Sequence, residues 1–213
     1  MIEKEKTPFV KRGDTLVCFG DSLTEAAPGY VRLLEDALTP LGIRIVNAGR
    51  GGDKTPAALT RLEKDVTALH PSAVSIFFGN NDAVIGRGAW RDEPVVSPLT
   101  FQENLCWMIH LCRNAGIRNI SINTMTGEME GPLLKDFGFC RNDYCQAARR
   151  AADWGNAVLV PLDAVFSNLK IQNASSFSDD GLRYTFDGLH MNKDGYQLIA
   201  DTMLKEWNLS TLI

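Results

Sequence analysis

The sequence predicts a single α/β domain in three layers, a parallel sheet of about five strands covered by helices on both faces. Three observations carry that expectation. Five short apolar runs rich in strand formers recur along the chain, and the stretches between them switch to helical periodicity. The 213 residues, 45% of them hydrophobic, are enough for one core without metal or disulfide staples but would be cramped as two domains. Strands alternating with helices imply right-handed βαβ crossovers, which make neighbouring strands parallel and bury both sheet faces.

The first strand is Thr15-Leu16-Val17-Cys18-Phe19, halted by Gly20 as a buried strand entering a tight turn should be. Its counterparts are Ile43 to Val46, Ala73 to Phe78, Asn119 to Ile122 and Ala157 to Val160. One helix follows Thr55-Pro56 with Leu59, Leu62, Val66 and Leu69 on a single face. A second carries Phe101, Leu105, Met108 and Cys112 before Gly116, and the last aligns Tyr196, Ile199, Met203 and Trp207 behind an Asn192 cap. Residues 1–13 form an N-terminal extension to a domain that takes in 1–213, with no internal repeat, low-complexity tract or linker.

Charge and composition exclude several classes of partner. Net charge is -4, from 22 basic and 26 acidic residues, and no basic run offers a track for a nucleic acid backbone. The charged start Met1-Ile2-Glu3-Lys4-Glu5-Lys6 is unlike a signal peptide, and no apolar stretch approaches the roughly 18–20 residues of a membrane span. A cytoplasmic protein is expected. Five cysteines, an odd number without a Cys-x-x-Cys pair, fit reduced thiols better than a disulfide framework or a metal site. Only Cys140 and Cys145, close together in an expected loop, are near enough in sequence to raise the question of pairing. No cofactor is called for, and the oligomeric state is not legible.

In a parallel sheet, ligands collect beyond the carboxyl ends of the strands. Chemistry is therefore sought in the loops Gly20 to Glu25, Asn47 to Asp53 and Gly79 to Asp82, and in Asp187-Gly188-Leu189-His190 before the last helix. Ser22 stands just past a strand and before a helical segment, a nucleophile's position, although a turn or capping serine would sit there too. A nucleophilic serine needs a base. His110 lies inside an amphipathic helix and His70 ends another before Pro71, whereas His190 follows Asp187 by three residues in a loop, where the carboxylate can orient the ring. Gly52 and Asn81 can supply N–H donors to a developing oxyanion, with turn-forming roles as the plain alternative for each.

Taken together, Gly20-Asp21-Ser22-Leu23, the Asn47-Ala48-Gly49-Arg50-Gly51-Gly52 stretch, Gly79-Asn80-Asn81-Asp82 and Asp187-x-x-His190 resemble the GDSL, or SGNH, hydrolase superfamily. The four blocks come in that superfamily's order and span nearly the whole chain. The resemblance implies Ser22 as nucleophile, Asp187 and His190 as the rest of a triad, and an oxyanion hole from the Ser22 N–H, the Gly52 N–H and the Asn81 side chain. It also implies a flavodoxin-like α/β/α fold with strand order 2-1-3-4-5. Met191 stands where the superfamily often has proline, a change expected to alter loop stiffness rather than chemistry.

A rival class remains at this stage: a flavodoxin-like module binding a flavin phosphate at a helix N-terminus, or a silent scaffold on the same fold. Asp53 occupies the place of the second glycine of a phosphate loop, so that motif is discarded. The preferred function is a serine esterase acting on small-molecule esters, with short-chain or acetyl esters, some on carbohydrates, ahead of lysophospholipids or acyl thioesters. The stretches 83–98, with Arg87, Trp90 and Arg91, and 124–145, with Glu128, Glu130, Phe137 and Phe139, are read as rim loops; neither contains a continuous apolar lid helix. Trp90 is the candidate for stacking on a sugar ring, with a local hydrophobic clamp as its alternative.

Overall fold

A strand that is apolar at successive positions is stable only where both its faces are covered. In the computed structural model, which describes residues 7–84, 92, 94–126, 141–172 and 182–210, five strands form one parallel sheet. They are β1 (Thr15–Gly20), β2 (Arg44–Gly49), β3 (Ala73–Phe77), β4 (Asn119–Asn123) and β5 (Val158–Val160), in the order β2-β1-β3-β4-β5. The order implied by the resemblance is the one observed. Gly20 at the end of β1 lies beside Gly49 of β2 and Phe77 of β3. The chain runs outward from β1 to β2 and then returns to β3, so the loops after these strands converge on one crevice.

Along β1, side chains alternate between two cores. Val17 and Phe19 join Val74, Ile76, Ile120 and Ile122 under α3 (Thr55–Asp65), α4 (Pro98–Asn114) and α5 (Arg141–Trp154). On the other face, Leu16 and Cys18 pack with α2 (Tyr30–Leu38), α6 (Leu162–Gln172) and α7 (Lys193–Glu206). Phe9 belongs to that second core, stacked on Trp207 with ring centroids 5.1 Å apart. No helix among the described residues is long and apolar enough to cross a membrane.

Several elements differ from their expected form. Asn47, Ala48 and Gly49 are the end of β2 rather than loop, because strand pairing uses backbone groups and Asn47 and Ala48 pair with Cys18 and Phe19. Helix α3 stops at Asp65, where Val66 leaves helical geometry (φ -127, ψ -70), and a 3₁₀ turn leads to His70 in the left-handed region. Leu69 is therefore 40% exposed instead of joining the buried face. Helix α5 begins inside the stretch read as the second rim loop. It buries Tyr144, Cys145, Ala147, Ala148, Ala151 and Ala152, a face whose alanines carry little hydropathic signal. Cys145 is thus a buried helical free thiol, pushed up to about 12 by burial, while Cys140 lies outside the described residues.

Candidate active site

Helix α1 (Ser22–Glu25) lies across the carboxyl ends of β1 and β2, and that crossing dictates two glycines. A Cβ on Gly20 would collide with Thr24 and the Phe77 carbonyl, and one on Gly49 with the backbone of Thr24 and Glu25. Asp21 caps the helix by accepting the Leu23 N–H at 3.0 Å, and Asn47 donates to the Thr24 carbonyl at 2.8 Å. Ser22 is the first helical residue, half-buried, and its N–H makes no hydrogen bond among the described residues. The Ser22 hydroxyl and its unpartnered N–H therefore leave the sheet edge together.

The opposite partner arrives on the segment before α7. Thr185 and Met191 form an antiparallel bridge, and the Phe186 N–H donates to the His190 carbonyl at 2.9 Å, closing a tight loop around Asp187. Within it Asp187 Oδ1 accepts the N–H groups of Leu189 (2.9 Å) and His190 (2.8 Å), and Oδ2 lies 2.8 Å from His190 Nδ1. Burial pushes the Asp187 carboxyl up, but these hydrogen bonds and the imidazole outweigh it and hold the group below its ordinary range. With Nδ1 engaged by the carboxylate, Nε2 faces Ser22 Oγ at 3.3 Å. The carboxylate, imidazole and hydroxyl thus form one hydrogen-bonded line, the arrangement that activates a serine.

Gly52 and Asn81 come from the loops after β2 and β3. Gly52 is exposed with φ +77, a left-handed geometry suited to glycine, and its N–H is unpartnered among the described residues. Its loop approaches that of Ser22, since a Cβ on Gly51 would lie 3.9 Å from Ser22 Cβ. Asn81 Nδ2 donates to the Asp53 carbonyl at 3.1 Å and is 3.4 Å from Asp21 Oδ2. One amide hydrogen anchors Asn81 to the Gly52 loop; the second makes only the long contact and can turn to an anion. His70 and His110 are exposed and take no part, and His110 pairs with Asn114 at 2.9 Å. Trp90 and the rim residues Arg87, Arg91, Glu128, Glu130, Phe137 and Phe139 lie outside the described residues.

Beneath these loops is a buried polar cluster that the sequence reading missed. Arg61 is 8% exposed. It donates to Asp53 (2.5 Å), the Ala48 carbonyl (2.9 Å), Asp65 (3.0 Å) and the Gly20 carbonyl (2.9 Å), with its guanidinium 4.4 Å over the Phe19 ring. One cation thereby ties the ends of β1 and β2 to the residue after Gly52. The available signal was Arg61 on the same helical stripe as Ala58 and Leu62. Asp82 accepts from Thr55 N–H (2.9 Å) and Oγ (2.5 Å), and its burial raises it to about 6. Asp21 is pushed up to about 7, chiefly by burial, with the Asp82 and Asp53 charges adding to it.

The family model for the GDSL-like lipase/acylhydrolase family matches residues 18–198. The chain belongs to this family. Among relatives of this GDSL-like hydrolase, the acetylxylan esterase of Geobacillus stearothermophilus is 26% identical over 91% of this chain and 94% of its own. Lipoprotein YqeF of Bacillus subtilis is 35% identical over 117 residues, 50% of this chain and 46% of that one. The crystal structure of LAE5, an alpha/beta hydrolase enzyme from the metagenome of Lake Arreo, superposes with a TM-score of 0.77 at 22% identity, covering 95% of this chain and 99% of that one. It shares the fold. Membership makes this GDSL-like protein a carboxylic ester hydrolase and sets aside the flavin-phosphate module that the first loop also allowed.

Proposed function

We propose that this GDSL-like hydrolase is a serine esterase that removes short acyl groups, acetyl foremost, from carbohydrate esters through an acyl-enzyme. The observation that carries the reading is the hydrogen-bonded line from Asp187 through His190 to Ser22, set beside two N–H groups unpartnered among the described residues. Ser22 Oγ attacks the ester carbonyl carbon as its proton passes to His190 Nε2, and Asp187 stabilises the imidazolium. The N–H groups of Ser22 and Gly52 and the Asn81 amide receive the oxyanion. Collapse breaks the bond to the alcohol oxygen, which takes the proton from His190. Water then attacks the acyl-Ser22 ester by the same route, releasing the carboxylic acid and restoring the serine.

Asn81→Ala should lower kcat by roughly 10²–10³ with a smaller change in KM, because its hydrogen bond strengthens only as charge develops on the substrate oxygen. Steady-state kinetics on p-nitrophenyl acetate check this, and a change confined to KM would make Asn81 a ground-state binder.

Support for the acyl and alcohol groups comes from the acetylxylan esterase relative, matched over almost the full length of both chains. The test is a screen of p-nitrophenyl esters of increasing acyl length beside acetylated xylo-oligosaccharides. Acetyl and butyryl esters should be cleaved with higher kcat/KM than esters of about twelve carbons. A long-chain pocket would instead gain from each buried methylene, about 0.8 kcal/mol apiece. A monotonic climb from acetyl to dodecanoyl below the micelle concentration would replace this reading with a lysophospholipase or thioesterase.

A further inference from the structure

A cleft opens at Ser22 on the His190 side of the site. Its volume is about 500 Å³, ample for a sugar-sized group, and its walls include Ser22, His190, Phe186, Leu33 and Tyr196 but neither Gly52 nor Asn81. Reaction geometry gives that asymmetry a meaning. When the tetrahedral intermediate collapses, the departing oxygen must lie next to His190 Nε2, its proton donor, while the former carbonyl oxygen points at the N–H donors. A cleft that runs from Ser22 along His190, away from Gly52 and Asn81, receives the alcohol half of the ester.

Two side chains specify which alcohol fits. Phe186 lines the cleft and is 69% exposed, so most of its ring surface is not spent on the core. Tyr196 is only 7% exposed, yet its hydroxyl has no hydrogen-bond partner among the described residues. The hydroxyl is open to the cleft rather than sealed in the interior, so a ligand hydroxyl can take the place of the water that otherwise bonds it. Burial, with the Asp21 and Asp187 charges, pushes the Tyr196 phenol up to about 12, so it remains a proton donor at neutral pH. A flat apolar alcohol would satisfy Phe186 and leave Tyr196 unpaired. A pyranose offers a C–H face to the first and hydroxyls to the second.

We infer that this cleft is the alcohol subsite of the esterase, in which Phe186 stacks on a pyranose ring and the Tyr196 hydroxyl bonds one of its hydroxyls. The inference rests on the carbohydrate-esterase reading above and extends it to named specificity residues. The test compares kcat/KM on monoacetylated xylotriose and on vinyl acetate, whose two-carbon leaving group cannot span the cleft. In Phe186→Ala the ratio of sugar ester to vinyl acetate should fall about tenfold, and in Tyr196→Phe about fivefold. Phe186→Tyr, which keeps an aromatic face, should retain the wild-type ratio.

Unchanged ratios in Phe186→Ala and Tyr196→Phe overturn the subsite, as does a ratio lost in Phe186→Tyr as fully as in Phe186→Ala. Wild-type enzyme that cleaves vinyl acetate but no acetylated sugar overturns the carbohydrate reading itself, a distinct result from wild-type sugar activity that the variants leave untouched.

Discussion

Ser22→Ala should fold as the wild type does and lose ester hydrolysis by about 10⁴-fold or more. The two halves of that expectation have separate physical grounds. Helix α1 is capped by Asp21, not Ser22, and is anchored through Asn47 to the Thr24 carbonyl and through Thr24 Oγ to Tyr30 Oη at 2.8 Å. Alanine removes none of these bonds and suits a helix. What it removes is the hydroxyl oxygen 3.3 Å from His190 Nε2, and water bound in its place can form no acyl-enzyme. Thermal melting reads the first half and steady-state kinetics the second. Activity within tenfold of wild type would end the nucleophile assignment.

His190→Ala should cost a comparable factor, and the Ser22→Ala, His190→Ala double variant should be little worse than either alone. Without the imidazole the hydroxyl keeps its proton, so the serine is present but inert; without the hydroxyl the base has nothing to deprotonate. Losses that depend on one another in this way do not add. The loop itself should survive, because Asp187 Oδ1 still accepts the backbone N–H groups of residues 189 and 190. Additive losses, measured as log kcat/KM across the four proteins, would mean that the two residues act in separate steps.

Legibility in the sequence followed the physics of each element. Strand β3 is buried at all five positions, so it reads as an apolar run interrupted only by Ser75, and α4 and α7 show their buried faces through large side chains. Helix α5 did not stand out because its core face is mostly alanine, and the end of β2 did not because Asn47 and Gly49 pair through backbone atoms. Ser22 was legible from its place just past a strand and Asp187 and His190 from their spacing of three, and the structure joins all three by hydrogen bonds. Arg61 was not, since two of its acceptors are the main-chain carbonyls of Gly20 and Ala48, 41 and 13 positions away, which no side-chain pattern records. Asp53, noted earlier only as the residue that spoils a phosphate loop, is the carboxylate that holds Arg61.

Treatment of the full chain with a p-nitrophenyl alkylphosphonate, followed by intact-mass and peptide mass spectrometry, asks directly whether Ser22 is the nucleophile. The expected result is one phosphonyl group per chain, on the peptide that contains Ser22, with release of one p-nitrophenolate, loss of esterase activity in step, and no label on Ser22→Ala. Label on a different residue, or a wild-type protein that hydrolyses esters yet takes up no phosphonate, would contradict it.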